Sequence, residues 1–326
     1  MREGLIPAAF ARYRRFPMRG ALLLFDRDTG TNVLCDGEEA TDLLPVAPRV
    51  IQFAITNRCN LACTFCSRDV EVASAWTAET AFAMLAGLAE AGVLEVAFGG
   101  GEPFAFRGFA ALVRRLYAET PLAVNVTTNG TLVSRERLAE IAGCYGQLRL
   151  SLYDDNDWRA RVALFADAGA RFGVNYLVTP ARLADLDTTI VELAALGCRD
   201  VLLLSYNGGD RSLHLSRAET MLLAAQVQTL SRALPGVRIA LDVCWGERLE
   251  AVPRLFAKTD CGAGSEFLVV TSDARVMPCS FHEVSFPAAT AVEVMTIWRT
   301  RQRELAAPAT QPGCARTPGF GLGRHA

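Results

Sequence analysis

The 326-residue chain reads as an α/β protein built on a parallel sheet. Apolar runs at 50–55, 94–98, 122–126, 148–152, 173–178 and 201–205 are mostly continuous rather than alternating, as in strands covered on both faces. Helical patterns lie between them, giving six strand–helix units and hence right-handed crossovers. Polar and glycine residues collect directly after several runs, at the strand ends where a parallel sheet holds its ligands. Alternation alone does not separate an open sheet from a barrel.

Composition bounds the class. Hydrophobic residues make up 51% of the chain, enough for one large domain and a small appendage. Net charge is −2, and Lys258 is the only lysine beside many arginines. No basic block carries interleaved aromatics, so nucleic acid is not an expected partner. Residues 1–19 mix arginines with short apolar pieces, unlike a secretory signal. No uncharged apolar run reaches about 18 residues, so no membrane span is expected. Ten cysteines without an export signal point to metal binding in a cytoplasmic protein rather than to disulfides.

The elements follow in order. Apolar runs at 21–25 and 32–35 flank a turn cluster at 26–31, a hairpin expected to extend the edge of the sheet. Residues 38–44 add a helical turn before Pro45. Thr77 caps a helix with Phe82, Leu85 and Leu88 on one face, and Ser134 opens another that Gly143 ends. Leu186, Ile190, Leu193 and Ala194 share a helical face before Gly197. A helix at 216–234, a Pro235–Gly236 turn and a strand at 237–243 complete the regular part. Cysteines, glycines and prolines then break the pattern, which gives three parts: 1–48, 49–240 and 241–326.

Cys59, Cys63 and Cys66 stand in C-x3-C-x2-C spacing just after the first strand. Three thiolates from one short loop hold three corners of a [4Fe–4S] cube and leave the fourth iron open to a small molecule. The bland alternative is three thiols packed as small hydrophobes. Tight spacing and the polar neighbours Asn57, Arg58, Asn60 and Thr64 argue against it. With Phe65 before the last cysteine, the loop resembles the signature of radical S-adenosylmethionine (SAM) enzymes.

That resemblance implies a partial (β/α)6 barrel with its strand ends facing the cluster. It also implies SAM as cofactor, bound beside Phe65. Gly100, Gly101, Glu102 and Pro103 match the GGEP motif, whose backbone and glutamate would hold the methionine amino group. Asn129, Ser151 and Asn175 match ribose and carboxylate contacts, although Asn129 and Ser151 suit ordinary turns equally. Arg161 would grip the SAM carboxylate with Arg159 as its competitor, and Leu177 and Val178 would shelve the adenine. The chemistry implied is reductive cleavage of SAM to a 5′-deoxyadenosyl radical that takes hydrogen from a carbon, with flavodoxin or ferredoxin as reductant.

The tail resembles the SPASM or twitch extension of that family: Cys261, a strand at 266–271, a turn, then Cys279, with Cys314 in a Pro-Gly loop. A full SPASM domain has more cysteines, so one auxiliary [4Fe–4S] cluster is implied, its fourth ligand being Cys244, a non-cysteine group or none. Zinc on the same thiolates is the alternative. Cys35, Cys144 and Cys198 read as buried hydrophobes, and His282 as neither ligand nor base. Tyr153, Asp154, Asp155 and Asp157 suit proton handling or an acidic solvated loop. Residues 1–48 faintly resemble the start of a peptide-recognition domain. The expected activity is cross-linking or oxidation of a ribosomally synthesised peptide. The alternatives are a twitch-type dehydrogenase or cyclase acting on a small molecule, and a non-catalytic Fe–S binding or sensing protein.

Overall fold

The computed structural model describes residues 6, 8–69, 71–249 and 260–316. The apolar runs become parallel strands in unbroken sequential order: β4 (Val50–Thr56), β5 (Glu95–Gly100), β6 (Ala123–Thr128), β7 (Gln147–Ser151), β8 (Phe172–Val178), β9 (Asp200–Ser205) and β10 (Arg238–Leu241). Residues on one side, such as Ala97, Arg149, Asn175 and Leu202, line a single cavity. Residues on the other side, such as Val96, Leu148, Val174 and Val201, are fully buried in the main core. A sheet with an enclosed concave face is the wall of a partial barrel.

The helices coat the convex face. Thr77 caps α1 (Ala78–Glu90) by accepting from the Thr80 backbone, and α1 buries Ala81, Met84, Leu85 and Leu88. Each large side chain among them contributes about 2 kcal/mol of burial. α2 (Phe109–Glu119), α3 (Arg135–Glu140), α4 (Trp158–Asp167), the short α5 (Pro180–Leu183), α6 (Leu186–Ala195) and α7 (Arg217–Ala233) follow. Ser134 and Ser216 cap α3 and α7, as their positions predict.

The tail continues the same sheet. β11 (Phe267–Val270) pairs in parallel with β4, placing Phe267 beside Val50 and Val270 beside Phe53. β12 (Arg275–Met277) and β13 (Phe286–Pro287) then run antiparallel. α8 (Ala291–Thr300) packs on α1 where Gly87 leaves room: a Cβ there would stand 2.7 Å from that of Ala291. α9 (Gln302–Leu305) follows α8.

The N-terminal segment corrects one expectation. It does not extend the edge of the main sheet. β1 (Arg14–Met18), β2 (Ala21–Asp26) and β3 (Thr31–Asp36) form a separate antiparallel sheet. Phe16, Met18, Leu23 and Phe25 pack on Leu94 and Ala123, at the amino ends of barrel strands. Arg14 donates to the carbonyls of Val93 and Pro121, and Arg27 to that of Thr120. The apolar face that an edge hairpin would leave half-covered is buried against the floor of the barrel, opposite the cysteine loops. Among the described residues no helix is long and apolar enough to cross a membrane.

Candidate active site

The cysteine loop leaves β4 at Thr56 and is pinned at its root. Asn57 takes Ser74 Oγ on its backbone N–H and donates its side chain to the Val72 carbonyl. The Thr56 carbonyl accepts the Gly101 N–H at 2.6 Å, and that of Arg58 accepts the Glu102 N–H at 2.8 Å. Here the glycines prove necessary. A Cβ at Gly101 would stand 2.2 Å from the Arg58 carbonyl oxygen, and Gly100, at φ +110°, would meet that of Thr56 at 2.3 Å. Their smallness lets the end of β5 press against the loop. Gly99 faces open space.

The three thiols sit in one another's field. Burial pushes the Cys63 thiol up, and Cys66 and Cys59 push it further. A bound cation reverses that repulsion by deprotonating its thiol ligands. Cys59 Sγ accepts from Leu61 N–H, and Cys66 Sγ from Arg68 N–H at 3.4 Å. The Phe65 ring lies 5.2 Å from that of Tyr153, which faces the cavity.

The strand ends behave less uniformly than the sequence suggests. Ser151, Asn175, Asn129 and Leu177 line the cavity, as do Gly100, Gly101 and Phe65. Glu102 and Val178 do not; both are buried. The Glu102 carboxylate accepts from Thr128 Oγ1 at 2.7 Å, Asn129 N–H at 2.8 Å and Phe104 N–H at 3.1 Å. Burial raises its pKa against these donors. Asn129 passes the linkage on, its Nδ2 donating to Asn60 Oδ1 and reaching Cys59 Sγ at 3.7 Å.

Arg159 is exposed and paired with Glu192, so it no longer competes with Arg161. Arg161 lies behind Gly130, its Nε buried without a partner, and Asn175 Oδ1 is likewise buried and unpartnered. Asn175 lines the cavity and Arg161 does not, so the buried amide acceptor is the group that faces a ligand carrying hydroxyls, as SAM does.

The tail brings its thiols to the same cavity, of about 890 Å³. Cys244, Cys261 and Cys279 line it, opposite Cys59, Cys63 and Cys66. Burial, then Cys261 and Cys314, push Cys279 up to about 11; Cys314 itself does not line the cavity. Burial also pushes Cys244 up, with Asp242, Cys261 and Cys279 adding to it. Gly313 presses on the β9 end, where a Cβ would meet Asn207 Cα at 2.5 Å. Arg316 forks onto Asp260 at 2.7 and 2.9 Å and staples the Cys314 loop to the Cys261 loop. Among the described residues no three His, Cys, Asp or Glu side chains converge on a single-ion site. The corners of a cubane stand further apart, and Cys244, Cys261 and Cys279 on one cavity wall are the thiols present there as donors.

His282 is structural: its Nδ1 accepts the Val284 N–H at 2.9 Å, leaving Nε2–H for the Ala307 carbonyl. Asp154, Asp155 and Asp157 are exposed and lie outside the cavity lining. Several contributors carry no motif. Buried Asn156 donates to the carbonyls of Asn129 and Ser151, clasping two strand ends. Asp242 lines the far wall, and burial raises it to about 7 against the Ser205 N–H and Arg248. Only the cap pattern at Tyr153 hints at Asn156; Asp242 could be anticipated only as the residue ending a barrel strand.

Residues 53–157, from β4 through the fourth strand end, match the model of the radical SAM superfamily. The match spans about a third of the chain and takes in the cysteine loop and the first four barrel strands. The chain is 27% identical over 288 residues to the PqqA peptide cyclase of Rhodopseudomonas palustris, covering 78% of this chain and 74% of the relative. It is 25% identical to the GTP 3′,8-cyclase of Chlorobaculum tepidum, over 74% and 82% of the two chains. Among solved structures, Streptococcus suis SuiB bound to S-adenosylmethionine superposes with a TM-score of 0.70 at 14% identity, covering 88% of this chain and 87% of that one. SuiB bound to its precursor peptide SuiA gives 0.69 at 14% identity, over 87% and 88%. At such identities the superpositions speak for the fold alone. The radical SAM match implies a [4Fe–4S] cluster and SAM as cofactors.

Proposed function

We propose that this radical SAM enzyme modifies a ribosomally synthesised peptide, cross-linking or oxidising it after hydrogen abstraction. The observation that carries the reading is the single cavity walled by both cysteine sets and by the polar ends of the barrel strands. Similarity to a peptide cyclase along most of the chain supports peptide as the substrate class.

Cys59, Cys63 and Cys66 would hold the SAM-binding cluster. When bound, cluster and SAM together supply the 5′-deoxyadenosyl radical. The chain's own residues do the rest. Asn129, Ser151 and Asn175 orient the ribose side of the ligand, Arg161 takes the carboxylate, and Leu177 and Phe65 offer apolar surface that excludes water. Glu102 acts as a clamp, fixing Asn129 and the end of β6 rather than meeting the ligand with its carboxylate. Cys261, Cys279 and Cys314 would hold an auxiliary [4Fe–4S] cluster with Cys244 as fourth ligand, in a tail part at 241–326. An external reductant of the flavodoxin or ferredoxin class would supply electrons. Residues 1–48 cap the barrel floor, and 49–240 carry the chemistry.

Anaerobic reconstitution tests the reading: about eight irons per chain for two clusters, and 5′-deoxyadenosine released on reduction with SAM. Incubation with the peptide of a short reading frame beside the gene should yield a product lighter by two hydrogens. No release of 5′-deoxyadenosine would return the chain to a non-catalytic role, and turnover of a small alcohol or nucleotide alone would replace peptide as substrate. Peptide binding that survives deletion of residues 1–45 would remove any recognition role for that segment.

A further inference from the structure

The two cysteine loops meet at a side chain that no motif singles out. Arg68 stands two residues after Cys66, and its backbone N–H is the one donated to Cys66 Sγ at 3.4 Å. Its Nη2 donates to Ser280 Oγ at 3.3 Å, across a separation of 212 residues. Ser280 follows Cys279, so one guanidinium reaches from the radical loop to the tail loop. Arg68 is half-buried and lines the cavity with Cys66, Cys279 and Ser280. Guanidinium has five N–H donors, and among the described residues the Ser280 hydroxyl is the acceptor it finds.

A thiolate-ligated cluster gains one negative charge on reduction. A cation and N–H donors close to its sulfurs therefore stabilise the reduced form and raise the potential. Resting on the two-cluster reading, we propose that Arg68 is a positioning residue that ties the two cluster-binding loops together and, as the cation shared between them, raises the midpoint potential of both centres. Arginine suits this because its planar fork reaches and holds a second loop where lysine supplies only a point charge.

The test uses reconstituted holoprotein, potentials from redox titration followed by electron paramagnetic resonance, and amide hydrogen exchange of the peptide spanning 276–284. In Arg68→Ala, iron stays near eight per chain, both midpoint potentials fall, and exchange at 279–282 rises about tenfold. Arg68→Lys restores the potentials but not the protection. Ser280→Ala raises exchange and leaves the potentials in place. Unmoved potentials or unchanged exchange in Arg68→Ala, with eight irons in the wild type, would overturn the inference alone. A wild-type count near four would overturn the two-cluster reading and the inference with it.

Discussion

Glu102 and Asn129 are joined across neighbouring strand ends: Glu102 Oε2 accepts the Asn129 backbone N–H at 2.8 Å, inside a fully buried carboxylate that takes three donors. Glu102→Gln keeps the shape but turns one acceptor into a donor facing a donor. The expected cost is about 2 kcal/mol, seen as a lower midpoint in thermal melting of the metal-free protein. An unchanged midpoint would show that the clamp is not structural.

Gly101→Ala puts a methyl against the Arg58 carbonyl, a backbone atom that cannot swing aside. The radical loop should lose its cluster while the fold persists. On the proposed two-cluster reading, iron falls from about eight to about four per chain, the circular dichroism spectrum is kept, and the remaining resonance signal ignores added SAM. Full iron with a normal SAM response would refute this.

Gly313→Ala is the mirror experiment. The added methyl meets Asn207 Cα and pushes the Cys314 loop outward. Iron should again halve, but here the surviving signal still changes on SAM addition. The contrast between the two glycine variants assigns one cluster to each loop.

At the barrel floor, burial pushes Asp200 up, but Arg149 and Arg238 outweigh it and hold the carboxyl below its ordinary value. A lowered folded pKa gives stability that is present above the ordinary carboxylate range, near 3.9, and lost as pH falls through the folded value. Asp200→Asn should destabilise by on the order of 3 kcal/mol at pH 7, and the gap should close in acid. Urea unfolding of both proteins between pH 7 and pH 3 measures it. A gap independent of pH would mean that packing, not charge, is what the substitution removes.

Local signals carried much of this in the sequence. Continuous apolar runs are what two-sided burial requires, so the strands from β4 to β9 were legible within a residue or two. The caps Thr77, Ser134 and Ser216 declare themselves through short side chains placed before helical patterns. β1 was not legible, because Pro17 and two arginines mask its period and its partner face is the barrel floor. The Cys59, Cys63 and Cys66 spacing is a local fact, whereas the fork of Arg316 on Asp260 and the reach of Arg68 to Ser280 join distant residues and leave no period to read. Glu102 shows the limit most clearly: the motif identifies the residue, but only the hydrogen bonds separate a clamp from a ligand contact.

The pairing of β11 with β4 bears on how the protein is made. β4 leads straight into the radical loop, yet its second neighbour lies more than 200 positions downstream, Phe267 against Val50. During synthesis the strand feeding Cys59 therefore stays an open edge until nearly the whole barrel has left the ribosome. Trp76 waits as well, since its indole donates to the Thr271 carbonyl. The loop proposed to hold the SAM-binding cluster is framed on both sides only once the tail has arrived, so metal loading there is expected to follow completion of translation.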